Sequence, residues 1–177
     1  MPSYGNENAK SETVEWYTPP EVFTALGMNA LSFDVDVASP GAAHVPWIPA
    51  LRHLTKNENG LTAPWTNKEG DLGFVWCNPP WGGGLMDWCK RLDQHRRYGG
   101  SAVALVPART DTDWWRRLTL GDVIVGFPRD GRVSFVTPSG ERPGNPGVGI
   151  ALVGLGECGK IAVNRTCPHF CDVWKKC

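Results

Sequence analysis

The sequence has no excess of charge of either sign: 18 Lys and Arg stand against 18 Asp and Glu, for a formal net charge of zero. No global field draws the chain to a polyanion, so any contact with nucleic acid must come from a local basic face. Long apolar runs are missing too. No stretch approaches the ~20 residues of a membrane span, and the opening MPSYGNENAKSE has no apolar core of the kind a signal peptide carries. A cytoplasmic protein with no membrane contact is the expectation. Internal repeats, heptads and low-complexity tracts are absent. So is a secreted disulfide framework: Cys77 and Cys89 stand mid-chain, while Cys158, Cys167, Cys171 and Cys177 crowd the end.

At 177 residues the chain suffices for one domain with a sizeable core. Glycine at 21 and proline at 15 are dispersed among apolar runs, which reads as a folded, loop-rich protein. Residues 1–14 are polar and expected to be disordered, 15–156 to form the domain, and 157–177 to be a Cys-rich tail. Nine tryptophans are many for this length; most should be core, but an indole beside Gly or Pro in a loop can be a stacking surface.

Thr18-Pro19-Pro20-Glu21 opens the apolar spacing Val22, Phe23, Leu26 and predicts a short helix ended by Gly27. Phe33, Val35 and Val37 alternate with Asp34 and Asp36, which is the period of a strand. Residues 39–58 read only as a loop or broken helix. Leu72 to Cys77 reads as a buried strand, Leu85 to Leu92 as a helix, Ser101 to Val106 as a strand, and Thr110-Asp111-Thr112 as caps for a helix bearing Trp114, Trp115 and Leu118. Asp122 to Phe127 and Arg132 to Val136 read as a hairpin about Asp130-Gly131, and Val148 to Leu155 as a last strand. Alternating strands and helices predict an α/β sandwich with a mostly parallel sheet and an antiparallel late edge. Ligands in such sheets sit beyond the carboxyl ends of strands, where Asp36 and Asn78 fall.

The segment VWCNPPWGGG, residues 75–84, carries the chemistry. Pro79 disfavours the helical region for Asn78, so the Asn side chain is presented rather than tucked. Its carboxamide oxygen and the Pro79 carbonyl make two acceptors converging on one point. A group with two hydrogens to donate there is an aromatic exocyclic amine, a poor nucleophile because its lone pair is delocalised. Holding both hydrogens favours tetrahedral nitrogen and the positive charge that grows during attack on an electrophilic carbon. Trp81 can stack on the ring, and the glycines let a substrate backbone approach. As a bare four-letter match this is no stronger than a tight turn with Trp81 in the core.

The context adds specificity. EWYTPPEVF, FDVDVAS, NGLTAPW, VWCNPPW, VPARTDTDWW and GRVSF, in this order over roughly residues 15–155, resemble the phage-type DNA N6-adenine methyltransferase family. The resemblance implies a Rossmann-like class I methyltransferase sandwich, S-adenosylmethionine as cofactor, DNA as partner, and work in the cytoplasm of a bacteriophage's host cell. It makes Asn78, Pro79, Pro80 and Trp81 the catalytic motif, and assigns Tyr17, Thr18, Pro19, Asp34, Asp36, Ala38 and Asn78 to the cofactor pocket, with Asp36 ahead of Asp34. Val37, where that family commonly has proline, and Asn59, where it has an acid before Gly60-Leu61, depart from the pattern. Glu58 enters by spacing alone, about 20 residues past the first strand.

A duplex base must leave the stack to be methylated, so arginines must hold the phosphates. Arg109, Arg129, Arg132 and Arg142 are the candidates, with Arg129 and Arg132 first among them, whereas Arg96, Arg97, Arg116 and Arg117 belong to solvated helix faces. Loops 39–58 and 137–147 are the expected sequence readers. Cys167, His169 and Cys171 lack the paired spacing of a zinc ribbon, so no metal is expected and the tail reads as frayed, with free thiols or adventitious disulfides. Cytosine amine, RNA adenine or a protein amide as acceptor, or a non-catalytic nucleic-acid-binding module, are the alternatives.

Overall fold

A computed structural model describes residues 16–28, 31–129, 133–142 and 147–175. The expected disorder of residues 1–14, the assignment of Arg132 and the tail residue Cys177 lie outside the described residues.

The elements in chain order are α1 (Pro20–Ala25), β1 (Phe33–Asp36), β2 (Ala50–His53), β3 (Phe74–Cys77), α2 (Leu85–Arg97), β4 (Ser101–Pro107), α3 (Asp113–Leu118), β5 (Val123–Pro128), β6 (Ile150–Leu155), α4 (Gly156–Arg165) and β7 (Cys171–Lys175). Pro20 opens α1, where a missing N–H costs nothing, and Gly27 follows its end at φ 75°. In α3 the Thr112 hydroxyl accepts from the Trp115 amide at 3.3 Å, as the cap residues predict.

One seven-stranded sheet runs in the order β2-β1-β3-β4-β6-β5-β7. β2, β1, β3 and β4 are parallel, β6 lies antiparallel between β4 and β5, and β7 is antiparallel to β5. This is the predicted α/β sandwich with a mostly parallel core. The period-two pattern sorts side chains onto two faces. Phe33, Trp76, Val103, Leu105, Leu152 and Ile150 join α1, α4 and residues 133–136 on one face. Val35, Val75, Cys77, Ala102, Ala104 and Val153 join α2 and α3 on the other.

Three details differ from the sequence reading. The antiparallel late edge is built by β6 and β7, which occupy both sides of β5, so residues 133–136 form no hairpin with it. They pack Val133 and Phe135 into the core instead, and Val136 bridges to Tyr17. The unassigned stretch 39–58 holds β2, a short edge strand whose exposed Leu51 and Arg52 gave no alternating signal. The segment read as a frayed tail is helix and strand. α4 lies close on β6, since a Cβ on Gly154 would stand 2.4 Å from the Gly159 carbonyl, and Cys171 is fully buried. Arg97, Arg116 and Arg117 are exposed on their helices as expected, and Arg96 is partly buried; Arg96, Arg97 and Arg117 surround the buried Asp93 at 2.8, 3.0 and 3.5 Å, and Arg117 thereby joins α3 to α2. Burial pushes the Asp93 carboxyl up, but hydrogen bonds from Arg96 and Arg97 outweigh it and hold the group below its ordinary range.

Candidate functional site

A cavity of about 720 Å³ opens where β1, β2 and β3 end. Asp36, Val37, Ala38 and Ser39 line it from the end of β1, Leu54 to Asn57 from the end of β2, and Trp76 and Asn78 to Trp81 from β3 and the loop after it. Trp16, Tyr17 and Thr18 close one side. The parallel register produces this convergence, because Asp36 pairs in register with His53 on one side and with Trp76 on the other.

Four residues of the wall carry a buried side-chain polar atom with no hydrogen-bond partner: Thr18 Oγ1, Asp36 Oδ2, Trp76 Nε1 and Trp81 Nε1. Each unsatisfied buried group costs roughly 1–3 kcal/mol. Their gathering around one cavity, as one carboxylate acceptor, one hydroxyl and two N–H donors, fits a ligand that carries both donors and acceptors.

Asp36 is only 1% exposed. Its Oδ1 accepts weakly from the Ala38 amide at 3.4 Å, and its Oδ2 stands 3.5 Å from His53 Nδ1. The same His53 nitrogen lies 2.9 Å from Ser39 Oγ, which in turn accepts from the Gly41 amide at 3.0 Å. The floor beneath is set by Gly60: a Cβ there would fall 1.8 Å from the Val37 carbonyl, so only glycine lets this loop cross the end of β1. Asn59, at φ 54°, takes the left-handed turn that leads into it.

Asn78 donates through Nδ2 to the Trp16 carbonyl at 2.7 Å, which leaves Oδ1 as the free acceptor end of the carboxamide. The half-buried Trp81 meets Phe135 edge to face, 5.3 Å between centroids at 88°, and Trp16 meets the same ring at 6.1 Å and 76°. Burial pushes the Cys77 thiol well up, and Cys89 up to about 12, so neither is a thiolate near neutral pH.

Of the residues singled out by sequence, Tyr17, Thr18, Asp36, Ala38, Asn78, Pro79, Pro80 and Trp81 meet at this cavity. Pro19, Asp34 and Glu58 do not line it. The Asp34 carboxylate points at β3, where Oδ2 accepts from the Phe74 amide at 2.7 Å. Glu58 is turned back on its own loop, accepting from the Thr55 amide at 2.9 Å and from the Thr55 hydroxyl. Arg129 is held by the Pro168 carbonyl at 2.7 Å and by Asp172 at 3.3 Å, and Arg142 clamps Glu21 at 2.7 and 3.0 Å. Arg109, exposed just past the carboxyl end of β4, has no partner for its guanidinium among the described residues. From the expected reading loop 137–147 Pro138 reaches the cavity wall. Among the described residues no group of three metal-ligating side chains comes together.

Sequence reasoning missed Trp16, Ser39, His44 and Trp76 in the wall and His53 behind it. Ser39 was recoverable, since it follows β1 at the end of the sheet where ligands bind. Trp76 was not, because a run of apolar residues does not reveal which face each one takes.

A model of the DNA N-6-adenine-methyltransferase (Dam) family matches residues 5–154. The chain belongs to that family. The matched span takes in the whole cavity wall, from Trp16 to Pro138. No curated protein and no solved structure matches the chain. No helix among the described residues is long and apolar enough to cross a membrane.

Proposed function

We propose that this Dam-family chain transfers a methyl group from S-adenosylmethionine to the N6 amine of adenine in DNA, at the cavity bounded by Asp36 and Asn78. One observation carries the reading: Asn78 gives its amide to Trp16 and keeps Oδ1 free, beside the Pro79 carbonyl, in a wall that holds unsatisfied polar groups.

S-adenosylmethionine, once bound, supplies an electrophilic methyl group on a sulfonium. Asp36 Oδ2 is placed to accept from the hydroxyls or ammonium of such a ligand, Thr18 Oγ1 to exchange a hydrogen bond, and Trp76 Nε1 to donate. Asn78 Oδ1 and the Pro79 carbonyl accept the two hydrogens of the amine, and this interaction strengthens as the nitrogen gains positive charge. Trp81, braced by Phe135, offers a broad ring beside the motif, with more stacking area for a purine than for a pyrimidine. The thiols of Cys77 and Cys89 are uncharged and the mechanism assigns them no covalent role. Arg109 is the assigned phosphate contact, because its guanidinium is uncommitted at the same end of the sheet.

The test is incubation with methyl-labelled cofactor and DNA, RNA and protein in parallel, followed by digestion and mass spectrometry. Labelled N6-methyl-2′-deoxyadenosine from DNA is the expected product. Methylcytosine alone, or label only in RNA or protein, overturns the substrate assignment, and no binding of S-adenosylmethionine overturns the enzymatic reading.

A further inference from the structure

We infer that the main-chain carbonyl of Trp16 is the positioning group for Asn78, and that it makes asparagine, rather than aspartate, obligatory at the head of this chain's NPPW segment. The inference rests on the proposed function, since it concerns how the acceptor for the amine is aimed.

A carboxamide has two nearly isosteric ends, and only one accepts. Left alone, Asn78 would present N–H to an amine as readily as C=O, and half its orientations would be unproductive. The Trp16 carbonyl, 2.7 Å from Nδ2, selects the productive one. That carbonyl sits on a short strap fastened on both sides. Tyr17 exchanges both main-chain hydrogen bonds with Val136 at 2.8 and 2.9 Å, the Thr18 carbonyl accepts from Trp47 Nε1 at 2.8 Å, and the Trp16 ring is set edge-on against Phe135. The strap therefore has little freedom to turn its carbonyl away.

An ionised aspartate has the acceptor that the amine requires but no donor for Trp16. Two oxygens with partial or full negative charge would then face each other at hydrogen-bond distance. Protonation repairs the mismatch: a carboxylic acid donates its O–H to the Trp16 carbonyl and keeps its other oxygen for the amine. The folded chain thus favours the protonated form of a carboxyl at position 78, raising its pKa above the unfolded value of about 3.9. With the folded pKa raised, the folded state binds more protons, and stability is lost as pH rises through that pKa.

The experiment compares the wild type, Asn78→Asp and Asn78→Ala in the full chain, reading turnover on DNA and the thermal midpoint from about pH 5.5 to 8.5. Asp36, His44 and Lys56 line the same cavity, His53 backs Asp36, and Arg109 follows β4. These groups are common to all three proteins, so ratios to the wild type remove their titration. At the alkaline end Asn78→Asp should turn over ~10²-fold or more below the wild type. Its ratio to the wild type should recover by up to roughly tenfold per unit as pH falls, following the protonated fraction. The midpoint gap between Asn78→Asp and the wild type should narrow on the acid side of that pKa, where the turnover ratio levels off, while Asn78→Ala keeps a gap independent of pH. Turnover of Asn78→Asp equal to the wild type at the alkaline end, or deficits in turnover and midpoint that ignore pH, would sink the inference. A wild type that methylates nothing overturns the functional reading, and shows itself before any variant is compared.

Discussion

Asp36 and His53 stand opposite each other at the carboxyl ends of two parallel strands, paired in register, with 3.5 Å between the carboxylate Oδ2 and the imidazole Nδ1. The carboxylate is 1% exposed and this oxygen has no hydrogen bond of its own. The acid therefore stands in the cavity wall with one oxygen left without a hydrogen bond. Hydrogen bonds to charged groups contribute about 1.5–3 kcal/mol, so Asp36→Ala should weaken S-adenosylmethionine binding by roughly 10- to 100-fold. Calorimetry on the folded variant measures this directly, and an unchanged dissociation constant removes Asp36 from the site.

Trp81 tests the substrate side. Its ring is braced by Phe135, so truncation removes both a stacking surface and an edge contact. Trp81→Ala should raise the KM for DNA by the equivalent of about 1–3 kcal/mol of base stacking, while Trp81→Phe keeps most of it. Cofactor affinity should stay within a few-fold in both. Equal damage from the two substitutions, with a matching drop in thermal stability, would make the indole a packing residue only.

The glycines of the site fall into two kinds. A Cβ on Gly60 would strike the Val37 carbonyl, whereas one on Gly83 meets nothing within 4 Å. Gly60→Ala should cost about 1–3 kcal/mol or more through backbone displacement, lowering the melting midpoint by several degrees. Gly83→Ala should melt as the wild type does. Indistinguishable midpoints for all three proteins would contradict the crossing of residue 60 over the end of β1.

Arg109 and Arg129 separate a phosphate contact from a structural arginine. Arg129 is occupied by Pro168 in the α4–β7 connection and by Asp172 of β7. Arg109→Ala should therefore weaken DNA binding uniformly across sequences and reduce the salt slope by about 1. Arg129→Ala should leave that slope alone and act on stability. Fluorescence anisotropy over a salt series gives both slopes, and the reverse pattern would exchange the two roles.

The sequence by itself determined the fold class and singled out Asp36 and Asn78, which line one cavity at the ends of β1 and β3. Strands at 33–36, 74–77, 101–107 and 123–128 were legible because buried strands leave short apolar or alternating runs between Gly and Pro breaks. Asn78 was legible because two following prolines dictate its backbone locally. Asp36 was legible because a strand's carboxyl end is where α/β sheets bind ligands. What only the tertiary structure decided depends on partners distant in sequence. Asp34 looks as good as Asp36 in one dimension, yet its carboxylate is consumed by the Phe74 amide, 40 residues on. Residues 133–136 have the pattern of a hairpin strand, but β6 and β7 already fill both sides of β5. The amide end of Asn78 is held by the carbonyl of Trp16, 62 residues earlier. Local propensity fixes where a strand ends and which residue is presented there; the hydrogen-bond partners that orient the side chain come from segments distant in sequence, across the sheet for Asp34 and from the strap before α1 for Asn78, which no single stretch of sequence contains.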